Sequence, residues 1–386
     1  MSSNRTRVYH LITELEPAGA ERVLYQIVRG LDRDRFETRV GALRAGGSVG
    51  AWLRAEGIQV FEVDMQRGWR GALGLAGALR RLSRDLCEFA PDVLHTHLFH
   101  AGAIGRVAAR GANRPRIASH VHTVEGRSLP WRNRFDRLTL RWIDVEICVS
   151  QAVARDRARR IGAPESKLRV IPNGVDLERP RQLERVTRAK ATTGLVPGMR
   201  TILAIGRLDR QKGFDVLVET APHLLSGNED LQIVIVGEGP ERETLERAIA
   251  RLGLAERVLM PGYREDIGRY LARAEVLVMP SRWEGFGITA VEAMAAGVPV
   301  IASDVDSLPE IVEHQRTGLL VPPEDIAALA NAVRSLLADP ATRSAMSDAA
   351  RAASERFSIE SMVCACTQLY EELCNQSTRR IEETGA

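Results

Sequence analysis

The regular alternation of short apolar runs with amphipathic segments is the feature that most limits how this chain can fold. Apolar runs at 7–13 and 92–97 are typical of buried strands, whereas 21–31 has apolar residues at the 3.6-residue spacing of a helix. The same alternation begins again at 201–208. Strands that alternate with helices form βαβ units and a parallel sheet. The sequence therefore predicts an α/β fold with two doubly wound, Rossmann-like domains.

The alternation is interrupted once, after the turn cluster Pro172 to Asp176, where a charged segment without a clear strand follows. We place the domain boundary there, because 386 residues are enough for two domains. Two such domains in series are expected to bind ligands in a cleft between them, at the carboxyl ends of the strands. The predicted domains are 1–178 and 179–357, followed by a last helix at 358–386.

Composition excludes several classes of protein. No apolar run reaches the roughly 18 residues that cross a bilayer, and the first residues lead directly into a strand without the apolar region of a signal peptide. The five cysteines show neither C-x-x-C spacing nor a paired framework. We expect a cytoplasmic protein with reduced thiols.

Charge is distributed unevenly between the two halves. Through Asp176 there are 29 basic and 19 acidic residues, a formal +10, and after it 24 against 31, a formal −7. A basic first half suggests an acidic partner, such as an anionic membrane surface or a phosphorylated acceptor, rather than nucleic acid. Plain surface charge is the alternative.

The stretch 281–303, SRWEGFGITAVEAMAAGVPVIAS, combines the end of a strand, a glycine turn and a helix start. The first N–H groups of a helix have no partner inside it, and the helix dipole is positive there, so this arrangement can bind anions. Glu284 and Glu292 flank the turn. Because carboxylates would repel a diphosphate, we expect them to bind neutral hydroxyl groups.

The E-x7-E spacing of these two glutamates resembles that of the retaining family-4 glycosyltransferases, which have the GT-B fold. A solvated helix is the alternative explanation for this spacing alone. The resemblance covers nearly the whole chain, and it implies two Rossmann-like domains that face a central cleft. It implies that domain 1–178 binds the acceptor, that domain 179–357 binds the nucleotide sugar, and that the last helix, 358–386, crosses back onto the first domain. It also implies sugar transfer from a nucleotide diphosphate sugar without a metal or a cofactor.

GRLDRQKG, residues 206–213, adds a second match, to the family's G-x-x-x-x-K-G segment with its arginine. Arg207 and Lys212 would stabilise the departing diphosphate, Arg as a planar fork and Lys as a point charge. The chain has 50 arginines and only three lysines, so a lysine at this position indicates a specific role. Surface cations at a helix start are the alternative.

The resemblance assigns further residues to the donor. Glu292 would bind the ribose diol, Glu284 the donor sugar, and Gly237 would approach the nucleotide closely. Tyr263 and Arg264 would lie near the base. The backbone N–H groups that would hold the distal phosphate and sugar hydroxyls are those of Phe286, Gly287 and Ile288.

In the first half, PAGAERV resembles the family's glycine-rich loop, with Gly19 kept and Ala18 in place of the preceding glycine. His122 matches the position of a histidine near the reacting sugar. His95, His97, His100 and His120 also lie at or near strand ends, which makes a zinc site the alternative. Since no carboxylate or cysteine completes a set, we predict no metal.

Asp304–Asp306 forms a D-x-D, the metal signature of the other glycosyltransferase fold, and we discount it. It follows a strand in the second domain, where the family usually has two glycines in place of Asp306 and Ser307. Pro309 and Glu310 then resume the family pattern. The resemblance does not predict which contacts Asp306 and Ser307 make in place of the two glycines.

The segment 127–142 interleaves arginines with tryptophan and phenylalanine, as membrane-surface helices do. RGWRG at 67–71 adds another tryptophan. The alternative for 127–142 is a helix that covers the sheet with its apolar side. The residues that we predict to contact an acceptor or an anionic membrane are Arg67, Trp69, Arg127, Trp131, Arg132 and Arg134.

Together these features predict a retaining glycosyltransferase. It would move a hexose-type sugar from a UDP- or GDP-linked donor to a lipid-linked, glycan or phosphorylated acceptor, in the cytoplasm or on the inner face of the membrane. The proposed catalytic residues are Glu284, His122, Arg207 and Lys212. A nucleotide-sugar epimerase on the same fold and a non-catalytic sugar-nucleotide binding protein are the two alternatives.

Overall fold

The computed structural model describes residues 5–65, 72–112, 114–124, 129–178 and 195–384. Its contacts divide the chain into two compact units, one made of Met1–Gly174 with Ile359–Ala386 and the other of Val175–Ser358. Each unit has its own parallel sheet, and every strand pair in both sheets is parallel.

The first unit is built on a seven-stranded sheet with the order β3-β2-β1-β4-β5-β6-β7. Its strands are β1 (Thr6–Ile12), β2 (Phe36–Ala42), β3 (Gln59–Glu62), β4 (Val93–His97), β5 (Arg116–Val121), β6 (Val145–Cys148) and β7 (Leu168–Val170). Its connecting helices are α1 (Gly19–Gly30), α2 (Ser48–Ala55), α3 (Ala72–Phe89), α4 (Leu98–Ala108), α5 (Pro130–Thr139) and α6 (Gln151–Ile161).

The second unit has a six-stranded sheet with the order β10-β9-β8-β11-β12-β13. Its strands are β8 (Arg200–Ile205), β9 (Leu231–Val236), β10 (Val258–Gly262), β11 (Ala274–Met279), β12 (Val300–Ser303) and β13 (Gly318–Val321). Its helices are α7 (Phe214–Leu225), α8 (Arg242–Arg251), α9 (Ile267–Leu271), α10 (Ile288–Ala295), α11 (Leu308–Ile311), α12 (Ile326–Ala338) and α13 (Pro340–Ser354), and α14 (Ile359–Thr384) then returns to the first unit.

Helices on both faces explain why the strands read as continuous apolar runs. In β9 all six residues are buried, as are the last four of β11. A parallel sheet covered on both faces has no polar side, so its strands lose the alternation seen in half-exposed sheets. The prediction of two doubly wound parallel sheets is confirmed. Among the described residues, no helix combines the length and the apolar character that crossing a bilayer requires.

The last helix, α14, packs within the first unit. A side chain at Gly30 of α1 would meet Val363 at 2.6 Å, so glycine lets the two helices come together. Further along α14, Tyr370 is fully buried, and its hydroxyl lies 2.7 Å from His95 Nδ1 at the sheet. The helix therefore contributes a polar group to the interior of this unit.

A buried network of charged side chains joins four elements of the first unit. Asp136 of α5 accepts hydrogen bonds from Arg106 of α4 at 2.6 Å and from Arg157 of α6 at 2.8 Å. Arg157 also makes a bidentate pair with Glu146 of β6, at 3.0 and 2.7 Å. Burial by itself would lower the pKa of the Arg157 guanidinium, but these bonds to Glu146 and Asp136 raise it above the ordinary value. Each charged side chain of the network therefore has a hydrogen-bonding partner of opposite charge inside the unit.

Replacing Asp136 by Asn should destabilise the protein strongly. The exchange keeps the volume but leaves the buried Arg106 guanidinium without a carboxylate partner, and removing one partner of a buried pair costs about 3–5 kcal/mol. The measurement is urea unfolding of the two proteins. The control is Glu372→Ala, which breaks an exposed pair with Arg169 (2.7 Å) and should change the unfolding free energy by about 0–1 kcal/mol. Equal effects of the two changes would contradict this view.

Candidate functional sites

In the second unit, four loops meet at the carboxyl edge of the sheet, next to the point where strand order reverses between β8 and β11. Ligands of doubly wound sheets bind at such points. The contacts are short and direct. A Cβ at Gly237, after β9, would lie 1.8 Å from the Gly206 carbonyl oxygen after β8, and a Cβ at Gly213 would lie 2.0 Å from that of Pro280 after β11. Only glycine allows the loops to approach this closely.

Lys212 and Glu284, predicted to serve the same donor, lie side by side. The Lys212 Nζ is 2.6 Å from Glu284 Oε2, and their side chains are 19% and 9% exposed. Gly213 follows the lysine in the left-handed conformation (φ 63°) and starts α7. The structure thus brings together two residues that are 72 positions apart, at the centre of the loop cluster.

Arg207 is the more exposed of the two predicted phosphate-binding cations. Its side chain is 69% exposed and is paired with Asp209 at 2.5 Å. Asp209 also accepts a hydrogen bond from the Lys212 backbone N–H at 3.3 Å and so caps the short turn between them. The arginine is therefore held beside the lysine by one half-buried carboxylate.

Helix α10 begins at the predicted glycine turn. Gly287 precedes it with φ 95° and has no side chain that could accept from the first-turn N–H groups. The side chain of Phe286 is buried and lies edge-on to Phe357, with ring centroids 5.5 Å apart, so its backbone rather than its ring faces the loop cluster. Glu292 lies further along α10 and is half-buried.

Asp306 and Ser307, which replace the usual glycines, support the turn. Asp306 has the positive φ (44°) that a glycine would adopt easily, and its Oδ2 accepts from the Glu284 backbone N–H at 3.1 Å. The Ser307 hydroxyl, fully buried, lies 3.0 Å from the Glu284 carbonyl oxygen and 3.1 Å from that of Phe286. The local contact that the sequence left open is therefore a brace for the loop that carries Glu284.

The loop after β9, which contains Gly237 and Gly239, has a packing role. A Cβ at Gly239 would lie 2.3 Å from the Leu208 carbonyl oxygen, so both glycines of this loop fit against the segment after β8. Tyr263 is exposed, whereas Arg264 is half-buried and hydrogen-bonds Tyr270. The structure places all three predicted base and nucleotide residues at the carboxyl ends of β9 and β10.

Arg282 is a residue of this region that sequence reasoning missed. It makes a bidentate pair with Asp215 at 2.9 and 2.7 Å and a second pair with Glu324 at 2.7 Å. Partial burial alone would raise the pKa of Asp215, but the hydrogen bonds from Arg282 hold it below the ordinary value. Arg282 thereby ties the loop before Glu284 to the start of α7.

In the first unit, five histidines line one face of the sheet. His95 and His97 alternate in β4, as do His120 in β5 and His122 just after it, and the register pairs His10 of β1 with His95 and His97 with His120. Since side chains two residues apart share a face, all five point the same way. The predicted set is corrected in one respect. His100 lies in α4 beside Phe99 (ring centroids 5.5 Å apart) and is not part of the cluster, whereas His10 is.

The imidazoles form two hydrogen-bonded chains. His97 lies between His10 (3.4 Å) and His122 (3.2 Å), using a different ring nitrogen for each. His95 lies between His120 (3.2 Å) and the Tyr370 hydroxyl.

Burial determines the charge of these rings. It lowers the pKa of His10 and of His122 to about 3, and together with neighbouring imidazoles it lowers that of the other three well below 6.5. At neutral pH the five rings are therefore uncharged. The neutral form of His122 is the one that can contact a ligand.

At the start of α1, Gly19 follows Ala18, whose side chain makes no cap. Glu21 in the first turn is buried, and this burial raises its pKa to about 7. It is a titratable group that sequence reasoning did not select, although it lies within the motif that contains Gly19.

Helix α5 has its polar side inward. Asp136 and Thr139 are buried, whereas Trp131 is 55% and Leu138 is 63% exposed. The alternative of a helix that covers the sheet with its apolar side is therefore wrong, because Arg106 supplies the partners of the inward side. Arg132 stacks over Phe99, 4.9 Å from the ring centroid.

An open groove of about 460 Å³ lies along this helix and is lined by Pro130, Asn133, Arg134, Arg137, Leu138 and Arg160. The other residues predicted for this surface, Arg67, Trp69 and Arg127, lie outside the described residues.

Comparison with known proteins agrees with this architecture. The profile of Glycosyl transferases group 1 matches residues 186–353, and that of Glycosyltransferase Family 4 matches residues 17–179. The phosphatidyl-myo-inositol mannosyltransferase of Mycobacterium leprae is 30% identical over 312 residues, 78% of each chain. The lipopolysaccharide core biosynthesis mannosyltransferase LpsB of Rhizobium meliloti is 35% identical over 213 residues, 53% of this chain and 60% of that protein.

Among solved structures, Anabaena HepE in complex with UDP-glucose has 25% identity and a TM-score of 0.83, with 95% of this chain and 100% of that chain covered. The same family is indicated by two profiles, one on each half of the chain, by a relative aligned over most of its length, and by the shared fold. The chain belongs to the family-4 glycosyltransferases.

Proposed function

We propose that this glycosyltransferase moves a hexose-type sugar from a UDP- or GDP-linked donor to a lipid-linked, glycan or phosphorylated acceptor, with retention and without a metal ion. The Lys212–Glu284 pair at the switch point is the observation that supports this most strongly. It places a cation for phosphate and a carboxylate for hydroxyl groups at one point of the loop cluster. The relatives named for mannosyl transfer and the HepE complex with UDP-glucose support the class of donor.

Donor binding would rearrange this pair. The ammonium of Lys212 turns from Glu284 to a phosphate oxygen, and Glu284 is freed to accept from the hydroxyl groups of the sugar. Lys212 is partly exposed, whereas Glu284 is buried, so the hydroxyl groups of the donor would replace the ammonium as partners of the Glu284 carboxylate. Arg207 turns in the same way from Asp209 to the diphosphate, and the N–H groups at the start of α10 bind the distal phosphate. Glu292 accepts from the ribose diol.

The bond changes need no further reactant. The bond between the anomeric carbon and the diphosphate oxygen breaks, the acceptor oxygen bonds to the same face of that carbon, and the acceptor proton passes to the departing diphosphate. Arg207, Lys212 and the dipole of α10 stabilise the negative charge on the diphosphate, a task for which other enzymes use a cation. Asp306, from the D-x-D, is bonded to the turn backbone, so the proposal gives it no metal.

The exposed side of α5 would bind an anionic membrane surface that carries the acceptor. Leu129, Trp131 and Leu138 are exposed there beside the arginines of the groove, the pattern of helices that lie in a membrane interface. The basic first half of the chain adds long-range attraction. His122 would contact the reacting sugar through Nδ1, which is buried and has no partner among the described residues.

Replacing Lys212 by Ala should lower kcat by roughly 10²–10³-fold, the loss typical of removing one group that stabilises charge in the transition state. Transfer from the accepted donor is measured below the unfolding temperature, since the change also leaves Glu284 without its partner. Arg247→Ala, on the exposed side of α8, is the control and should keep the wild-type rate. A Lys212→Ala enzyme with normal kcat would disprove the phosphate assignment.

The same assay tests the proposed chemistry. With excess EDTA the rate should be unchanged, and proton NMR of the first product should show the anomeric configuration of the donor. Inverted product, or activity that returns only with added metal, would refute retention or metal independence separately.

A nucleotide that binds only the folded protein should raise the midpoint of thermal unfolding by mass action. At a nucleotide concentration of 100 Kd the free energy of unfolding increases by about 2.7 kcal/mol. We expect UDP or GDP to do so for the wild type and to lose most of the effect with Glu292→Ala, since the ribose contact is gone. ADP is the matched control for the base. If Glu292→Ala is stabilised as much as the wild type, the ribose assignment fails.

Vesicle sedimentation tests the membrane surface. Binding to vesicles with 30 mol% anionic lipid should fall several-fold with Trp131→Ala and with Arg134→Glu, and should weaken as salt is raised, because part of the attraction is electrostatic. Trp52→Ala replaces a partly exposed tryptophan of α2 and should have no effect. Equal binding of all four proteins, or none by the wild type, would exclude this surface.

A further inference from the structure

Three imidazoles of the first unit lie end to end, and His122, His97 and His10 are together called the imidazole row. His97 Nδ1 is 3.2 Å from His122 Nε2, and His97 Nε2 is 3.4 Å from His10 Nδ1. The ring centroids of these two pairs are 5.4 and 5.7 Å apart, and their planes differ by 24° and 25°. Nitrogens this close between centroids this far apart mean that the rings meet edge to edge. This is the geometry of a hydrogen bond between two ring nitrogens.

The number of protons on the imidazole row couples its three rings. Burial keeps the rings uncharged at neutral pH, so each ring has one N–H group and one lone pair. The two bonds inside the row use two of the three N–H groups, and His97 must donate through one nitrogen and accept through the other. The third N–H group therefore lies at one end of the row, on His10 Nε2 or on His122 Nδ1. The tautomer of His122 thus depends on the two rings behind it.

Both ends of the imidazole row are unsatisfied. His122 Nδ1 and His10 Nε2 are buried atoms that have no hydrogen-bond partner among the described residues. The ring of His10 is fully buried, whereas His122 is half-buried and directly follows β5, at the edge of the sheet where ligands of doubly wound sheets bind. A ligand can therefore complete the row at the His122 end.

We propose that His97 is a positioning residue, which holds His122 so that its Nδ1 lone pair accepts a hydrogen bond from a hydroxyl group of the donor sugar. In this arrangement His122 Nε2–H donates to His97 Nδ1, and His97 Nε2–H donates to His10 Nδ1. The inference rests on the proposed function, which places His122 at the reacting sugar. It adds the residues that determine which ring atom of His122 carries the proton.

Two arguments favour this direction of the hydrogen bonds. All three rings then carry the proton on Nε2, which is the tautomer that a free neutral histidine side chain prefers. In addition, the sugar gains positive charge as its bond to the diphosphate breaks. A lone pair that accepts from a sugar hydroxyl stabilises that charge, whereas an N–H group that donates to the hydroxyl would oppose it. The third proton of the row then lies on His10 Nε2, at the end away from the sugar.

A second row of side chains restrains the first. His120 stacks on His122 with ring centroids 4.1 Å apart, and His95 stacks on His97 with centroids 4.2 Å apart. His95 Nε2 is 3.2 Å from His120 Nδ1, and its Nδ1 is 2.7 Å from the Tyr370 hydroxyl of α14. Rings that are stacked in this way cannot rotate freely, so the bond between His97 and His122 keeps its direction.

Two substitutions of His97 separate its two hydrogen bonds. The side-chain amide of Asn takes the place of Nδ1, and that of Gln takes the place of Nε2. His97→Asn can therefore keep the bond to His122, whereas His97→Gln can keep only the bond to His10. Both variants lose the same buried ring, so we expect similar decreases of the unfolding midpoint.

Transfer from the accepted donor should distinguish the two variants. We expect His97→Gln to lower kcat by roughly 10²-fold, as misplacing a group at the reacting centre does, with a much smaller change in the donor KM. His97→Asn should keep a kcat close to that of the wild type. A residue with only a structural role would lower the activity of both variants equally.

NMR of the wild type labelled with ¹⁵N-histidine tests the row without any activity. A hydrogen bond between two nitrogens gives a measurable ¹⁵N–¹⁵N coupling, and the nitrogen that carries the proton gives the direction of the bond. We expect coupling between His122 Nε2 and His97 Nδ1, with the proton on His122 Nε2. The His122→Gln variant, which lacks this signal, provides the assignment.

Three results would overturn the proposal: absence of this coupling in the folded wild type, a proton on His97 Nδ1, or equal kcat values of His97→Gln and His97→Asn. Failure of the proposed function gives a different result. A wild type that shows the coupling but transfers no sugar would refute the transferase mechanism, and the role of His97 in it, while the hydrogen bonds of the imidazole row would be established.

Discussion

Parallel pairing of every strand is the constraint on which the rest of this structure depends. Each parallel strand must return by a crossover, so all strands of a sheet end at the same edge, and the loops that follow them gather there. Residues far apart in the chain then become neighbours, as Lys212 and Glu284 do at 2.6 Å. The same rule places His97 of β4 beside His120 of β5. In both units the residues of interest lie where neighbouring strands end together.

Local pattern predicted most of the fold. The apolar runs at 7–13, 92–97 and 201–208 lie within a few residues of β1, β4 and β8, and 21–31 lies within a few residues of α1. Apolar runs and helical spacing are properties of short segments, which is why they can be recognised in the sequence. What it missed was the strand Gly318–Val321, four residues beside a turn, too short for any periodicity. Local pattern also could not predict which side of α5 faces inward. Asp136 is buried because Arg106, thirty positions earlier, lies opposite it, and no window of sequence contains both.

The residues of the candidate sites likewise include some that the sequence could select and others that it could not. Lys212 could be selected because lysine is rare in this chain, and Glu284 because of its spacing to Glu292. Arg282 could not, since one arginine among 50 carries no signal until the fold sets Asp215 and Glu324 around it. His10 stood apart from the other histidines by 85 residues, and only the order of strands places β1 beside β4. Composition and spacing find residues that are unusual, whereas partners are found from topology.

Exposure decides what each group of charges can do. The network around Asp136 is closed to water and fully paired, so exchanging any partner would strand a charge, and its role is to hold α4, α5, α6 and β6 together. In the Lys212–Glu284 pair the carboxylate is buried but the lysine is partly exposed, so under the proposed function the donor replaces the lysine as partner of the carboxylate. Burying the polar side of α5 has a further consequence, because its tryptophan and leucines are then left on the surface. A stable fold and an apolar surface on a basic unit thus arise from the same inward-facing carboxylate.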